Sequence, residues 1–176
     1  MYFLTILIVA ISLSMDAFSL SLIYGTLNIS SHIIKIVSST VGVFHLFMPL
    51  FGYLFGDFLA SLLVFNPNML VGIIFLYLAI QMFVSVFRRE DVEMFGGFLS
   101  YFLFGFTVSV DSFSVGIGLG SLDTPILYPC IVFSLASFLF TYFGLKLGKK
   151  LTLKFGKIST VLGSIVLFVL GISYIF

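Results

Sequence analysis

Of 176 residues, 61 % are hydrophobic and only 9 % charged, where a soluble globular domain is roughly half apolar and about a quarter charged. No aqueous fold of this size has enough interior to hide so many Phe, Ile and Leu side chains, which leaves bilayer lipid as the solvent that accepts them. The net charge of +1 gives no ground for nucleic-acid binding, and the single cysteine, Cys130, excludes an internal disulfide and any multi-thiolate metal site.

Crossing the hydrocarbon core takes about 20 mainly apolar helical residues. Six stretches qualify, near 3–24, 38–58, 68–87, 97–119, 126–145 and 159–176. The first is long, contains Asp16 and has no basic residue before it, so it reads as a retained helix rather than a removable signal peptide. The breaks fall at Asn28-Ile29-Ser30-Ser31-His32, at Asn66-Pro67-Asn68, at Arg88-Arg89-Glu90-Asp91, at Leu122-Asp123-Thr124-Pro125 and in the Lys-rich stretch 146–157. They combine turn formers with charge, as the ends of membrane helices do.

All eight basic residues belong to the first, third and fifth connections: Lys35; Arg88 and Arg89; Lys146, Lys149, Lys150, Lys154 and Lys157. Lysine and arginine stay cytoplasmic during insertion, so both termini are expected outside. The acidic Glu90, Asp91 and Glu93 change this little, because the rule counts basic residues. The lysines of 146–157 are read as topology determinants within reach of anionic lipid. With no soluble domain expected on either side, the protein's work is expected within the membrane.

The chain also repeats itself. At an offset of 95 residues, Ser14-Met-Asp-Ala-Phe-Ser-Leu-Ser-Leu-Ile-Tyr-Gly25 lies over Ser109-Val-Asp-Ser-Phe-Ser-Val-Gly-Ile-Gly-Leu-Gly120. The identical pairs include Ser14 with Ser109, Asp16 with Asp111, Phe18 with Phe113, and Ser19 with Ser114. Gly52-x-x-x-Gly56 in the second span answers Gly144-x-x-x-Gly148 in the fifth, and Gly72 answers Gly163. Three spans per half is an odd number, so the second half must enter from the opposite side. The expected fold is therefore an all-α integral membrane protein in one domain, with six transmembrane helices as two inverted three-helix repeats, about 1–90 and 95–176. Such folds place a site at the bilayer midplane and permit alternating access. The GxxxG segments are expected to let the second and fifth spans pack closely.

Asp16 and Asp111 are the two carboxylates placed inside spans. An ionised Asp near mid-membrane costs about 2.5–3.5 kcal/mol on insertion scales, so such residues face a bundle interior or a wet cavity. Positions i−4 and i+3 share a helix face with i, which sets Ser12 and Ser19 beside Asp16, and Thr107 and Ser114 beside Asp111. With the first and fourth helices in contact, both stripes would converge on one ligand, with Ser14 and Ser109 as further hydroxyls. His45 lies four residues before Pro49, whose missing N–H frees the His45 carbonyl. This would open the helix and offer imidazole and carbonyl together. Asp57 reads as a solvated helix end.

Two carboxylates, several hydroxyls and one imidazole make an oxygen-rich site for a small divalent cation, and the nitrogen ligand tilts the choice toward Mn²⁺. Met15, Met48 and Met82 read as packing. An amino-acid substrate would need a cationic partner for its carboxylate, and no basic residue lies within a span. A metal ion is thus the expected substrate, with no cofactor and no enzymatic activity.

The paired Ser-Met-Asp-Ala-Phe-Ser and Ser-Val-Asp-Ser-Phe-Ser motifs, with Phe44-His-Leu-Phe-Met-Pro-Leu-Phe-Gly52 between them, resemble the MntP-like "putative manganese efflux pump" family. That family is grouped with the LysE-type exporters, and the resemblance runs along nearly the whole chain. It implies export of Mn²⁺ across a bacterial cytoplasmic membrane, with Asp16 and Asp111 at the ion site. Members of that family often carry glutamate where His45 stands here, which bears on metal preference and coupling. A related sporulation-associated branch shares the Asp motif, so a membrane assembly role with structural aspartates is the main alternative. An intramembrane aspartyl protease would need a Gly-x-Gly-Asp context, whereas Ser109 and Val110 precede Asp111. A passive channel is a further alternative, distinguished by its lack of saturation.

Overall fold

The computed structural model describes residues 2–27, 29–62, 66–87, 96–122, 125–148, 150 and 153–175. Several residues of the expected connections, Asn28, Arg88, Arg89, Glu90, Asp91, Glu93, Asp123, Thr124 and Lys149, lie outside the described residues. Among those described there are seven helices and no strand: α1 (Tyr2–Gly25), α2 (Ser31–Leu62), α3 (Pro67–Ser85), α4 (Phe98–Val108), α5 (Val110–Ser121), α6 (Leu127–Leu147) and α7 (Leu153–Ile175). Five are each long and apolar enough to cross a membrane, and α4 with α5 makes a sixth candidate, bent by 42°. The bundle is apolar outside, with Phe3, Phe51, Phe58, Phe98, Ile165 and Phe168 exposed, while Ser14, Ser21, Ser38, His45, Ser137 and Thr141 are buried. This inversion of the soluble pattern identifies a multi-pass membrane protein.

Two boundaries differ from the hydropathy reading. α2 begins at Ser31 rather than near 38, and α7 at Leu153 rather than near 159. Lys35, Lys146 and Lys157 are therefore helical residues. Hydropathy marks where the hydrocarbon ends, whereas a helix keeps its internal hydrogen bonds into the interfacial layer. The Asn66-Pro67-Asn68 break does end where expected: Asn66 caps α3, its Oδ1 accepting from the Asn68 N–H at 3.0 Å, with Pro67 in the first turn. At the start of α4, Gly97 has φ +137°, a conformation strained for any L side chain.

The third difference is the break in the fourth span, expected as one helix over 97–119. At Ser109 the backbone leaves the helical ladder, and the Ser109 hydroxyl donates to the carbonyls of Gly105 (2.8 Å) and Phe106 (3.0 Å). A serine that back-bonds in this way competes with the ladder and bends it. The two pieces still run onward along the same helix. Gly105 of α4 lies against Thr40 and Phe44 of α2, Gly116 of α5 against Pro49, and Gly120 against Tyr53 and Asp57. From Thr40 to Asp57 is 17 steps on a helix, about 25 Å at 1.5 Å per residue. That length makes α4 and α5 one broken span rather than a re-entrant loop.

Backbone contact through glycine organises the bundle. Gly52 and Gly56 of α2 meet the Phe113 and Ile117 carbonyls of α5, and Gly116 and Gly120 of α5 meet those of Pro49 and Tyr53. Gly144 and Gly148 of α6 pack in the same manner on Phe18, Leu22 and Gly25 of α1. Each GxxxG thus packs closely, as expected, but its partner is the first span of the other half. Small residues let the backbones approach where lipid supplies no hydrophobic drive for association. The remaining main contacts are α3 with α7, α2 with α6, α1 with α7, α2 with α4, and α3 with α5. One cluster of buried side chains is centred on Phe75, Leu78, Phe133 and Leu167, and a second on Val37, Val41, Phe104 and Leu145.

Candidate functional site

The helix break decides where Asp111 stands. Ending α4 at Val108 places Asp111 in the first turn of α5, where its Oδ1 accepts from the Ser112 N–H at 2.6 Å and the Ser112 hydroxyl at 3.3 Å. An anion at that position also faces the positive end of the helix dipole. Asp16, its counterpart in the repeat, sits within the unbroken α1.

The α2–α5 contact brings His45 to Asp111. His45 is fully buried, and its Nε2 is 3.9 Å from Asp111 Oδ1. Its Nδ1 is 3.0 Å from the Val41 carbonyl. A carbonyl only accepts, so this contact is a hydrogen bond when Nδ1 carries the proton. In the neutral ring, Nε2 then holds the lone pair. Nε2 has no hydrogen-bond partner among the described residues. A lone pair and a carboxylate oxygen facing each other need a proton or a cation between them. Ligand distances of about 2.0–2.2 Å to a small divalent ion allow two ligands of one ion to stand up to about 4 Å apart. The pair fits that limit. The far side of the ring fits too, since metal-binding histidines donate their other N–H to a fixed acceptor, here the Val41 carbonyl.

Other expected site residues are placed differently. Ser12 donates to the Ile8 carbonyl of its own helix at 2.9 Å. The Ser19 hydroxyl lies against Gly156 of α7. Thr107 is exposed, because the i−4 relation to Asp111 does not survive the break at Ser109. Ser114 is half-buried. Pro49 lies inside a continuous α2, and its carbonyl abuts Gly116 of α5. Among the described residues no three His, Cys, Asp or Glu side chains are grouped closely enough to hold a metal ion. An ion on Asp111 and His45 would therefore retain water, as Mg²⁺-like ions bound by one or two carboxylates do.

Sequence reasoning missed Ser112, which anchors the Asp111 carboxylate, and Ser137. The latter's Oγ is 3.2 Å from Ser14 Oγ across the α1–α6 contact. Ser137 and His45 each stand seven residues before the first glycine of a GxxxG, Gly144 and Gly52. That shared spacing was the available signal. Ser14 and its sequence counterpart Ser109 differ: Ser14 pairs with Ser137 of α6 and α1 stays whole, while Ser109 bonds its own backbone where the fourth span bends. Ser14→Ala is expected to cost about 0.6 kcal/mol, the mean for interhelical hydrogen bonds in a membrane bundle. Equilibrium unfolding in mixed micelles measures this, and a cost several times larger would mean that Ser14 anchors more than one contact.

The family profile described as "Putative manganese efflux pump" matches residues 28–175. The chain is 36 % identical over 174 residues to the "Putative manganese efflux pump MntP" of Bacillus pumilus, covering 98 % of this chain and 95 % of that protein. It is 36 % identical over 172 residues to the protein of the same name from Geobacillus thermodenitrificans, covering 96 % and 93 %. A Bacillus cereus relative, again of that name, is 30 % identical over 172 residues, with 97 % and 94 % covered. No solved structure matches the chain significantly. With a profile match over most of its length and relatives aligned nearly end to end, the chain belongs to the family described as "Putative manganese efflux pump".

Proposed function

We propose that this protein exports a divalent metal cation, Mn²⁺ foremost, from the cytoplasm by alternating access, with protons as the counter-ion. The observation that carries this reading is the buried His45 Nε2, unpartnered among the described residues and facing Asp111 Oδ1 at 3.9 Å. A cation between them completes both groups, and protons on the same atoms replace it on the return. The repeat relation between Asp16 and Asp111 supports a site to which each half contributes one carboxylate. The names of the relatives support manganese and efflux.

The helix contacts support two inverted halves. Exchanging spans one, two and three for four, five and six turns the α2–α5 contact into α6–α1, and α1–α7 into α5–α3. The α2–α6 and α3–α7 contacts map onto themselves. In this reading both termini face outside and the basic residues face the cytoplasm. Lys35 and His32 then stand at the cytoplasmic end of a groove of about 870 Å³ along α2, where anionic lipid headgroups would meet them.

Uptake of radioactive Mn²⁺ into proteoliposomes tests the reading. Saturable flux is expected, accelerated by an opposing proton gradient and lost in Asp16→Asn. Flux that ignores the gradient would remove the proton exchange. No flux of Mn²⁺, Mg²⁺, Ca²⁺ or Cd²⁺ by well-folded protein would favour the assembly role.

A further inference from the structure

Several buried hydroxyls in this bundle satisfy themselves on their own helix: Ser12, Ser109, Thr160 and Ser164 each donate to a carbonyl three or four residues back. Ser21, Ser38 and Thr141 do not. Each is fully buried, and their oxygens have no partner among the described residues. With His45 Nε2 they are the four buried side-chain polar atoms left in that condition among the described residues. An unpaired buried hydroxyl is costly, so each marks a place where a ligand or water would be accommodated.

The three hydroxyls come from three helices yet occupy one end of the bundle. On α2, Ser38, Gly42 and His45 follow the i, i+4, i+7 spacing of a single helix face. Gly42 rests against Ser134 and Phe138 of α6. α6 runs opposite to α2, so Ser38, one turn before Gly42, is level with the turn of α6 that carries Thr141. Ser21 touches the same stretch of α6 from α1, its Cβ lying against Gly144. Measured along the helices, Ser38 is about 10 Å from the His45 level and Ser21 about 7 Å from the Asp16 level. Both displacements run toward the end that carries the α1–α2 and α6–α7 connections. Toward the opposite end, beyond His45 and Asp111, no such atom occurs among the described residues. There the α2–α5 contact is glycine against backbone carbonyl.

We propose that Ser21, Ser38 and Thr141 line the path by which the divalent cation reaches His45 and Asp111 from the α1–α2 end of the bundle. The proposal rests on the exporter reading and gives it a side and a lining. Hydroxyl oxygens are hard ligands that can replace part of an ion's water shell, and they can equally hold that water in place. In this structure the path is closed by Gly25, packed on the backbone of Gly144, Leu145 and Gly148. Parting α1 from α6 at that glycine contact opens it.

Thiol labelling tests the path in a Cys130→Ala background. Ser21→Cys, Ser38→Cys and Thr141→Cys are treated with a membrane-impermeant cationic methanethiosulfonate in vesicles of either orientation. All three are expected to react from the α1–α2 face and from that face alone. Leu78→Cys, buried in the other cluster, is expected to react from neither. Cysteines as inert as Leu78→Cys, or reactive from the opposite face, would overturn the proposal. Thr141→Val supplies a second measurement that needs no cysteine. Its maximal flux is expected to fall several-fold at unchanged half-saturation, because the ligands at Asp111 are untouched. A hydroxyl buried to no purpose would behave differently: the valine would stabilise the fold and leave flux intact, and that result would also overturn the path. Labelling without flux of any cation would instead overturn the exporter reading while keeping the aqueous path.

Discussion

Asp111→Asn is expected to abolish the proposed Mn²⁺ flux and to leave the fold standing. Asparagine keeps the volume of aspartate, and its Oδ1 can still accept from the Ser112 N–H, so the first turn of α5 retains its anchor. What it loses is the negative charge opposite His45 Nε2. Removing an outer partner of a metal ligand typically costs about 10–100-fold in affinity, and removing a ligand should exceed that. In a membrane interior the substitution replaces an ionisable group, itself costing about 2.5–3.5 kcal/mol to insert, with a neutral amide, so thermal stability in detergent should hold or rise. Loss of flux together with a raised melting temperature is the signature of a group kept for function at the expense of stability. A variant that transports normally would move the site away from Asp111. A variant that transports nothing because it no longer folds would show the carboxylate to be structural, as the assembly reading requires.

The sequence exposed an all-helical, multi-pass chain because its strongest signals were chemical. Lipid as solvent follows from composition, the span count from runs of apolar residues, and Asp16 with Asp111 from a repeat that apolar drift cannot imitate. The pairing of His45 with Asp111 was legible only as a shared candidacy. Its geometry depends on which spans touch, and a hydropathy pattern is silent on that. The break at Ser109 was hidden for a different reason. No proline or glycine stands there, and a serine that back-bonds reads in sequence like one that reaches across to a neighbour, as Ser14 does to Ser137. That single ambiguity displaced Thr107 from the expected site and put Ser112 into it. Ser21, Ser38 and Thr141 were invisible because what distinguishes them is the absence of a backbone bond among the described residues, which only coordinates reveal.

The glycines of α5 predict the other large effect, and they predict it unevenly. At Gly116 and Gly120 an added Cβ would fall on the carbonyl oxygens of Pro49 and Tyr53, rigid backbone of α2 that cannot turn aside. At Gly118, on another face of α5, the nearest atom is a Val71 methyl at 3.2 Å, the end of a side chain that can give way. Gly116→Val and Gly120→Val should therefore fail to reach the native bundle or lose several kcal/mol, beyond the roughly 1–3 kcal/mol of ordinary overpacking. Gly118→Ala should stay within about 1 kcal/mol of the parent, at the mild end of that range. Melting in detergent and recovery as a single monodisperse species would rank the three. Equal damage at all of them would mean that α5 does not present this face to α2. The consequence reaches function because Gly116 is only five residues beyond Asp111. Whatever forces α2 and α5 apart there also widens the 3.9 Å gap between His45 Nε2 and Asp111 Oδ1. Two ligands of one small ion stand at most about 4 Å apart, so the gap has almost no room to grow. Gly116→Ala, which adds that Cβ and nothing more, should destabilise the fold and also weaken Mn²⁺ binding in the protein that does fold, while Gly118→Ala changes neither appreciably.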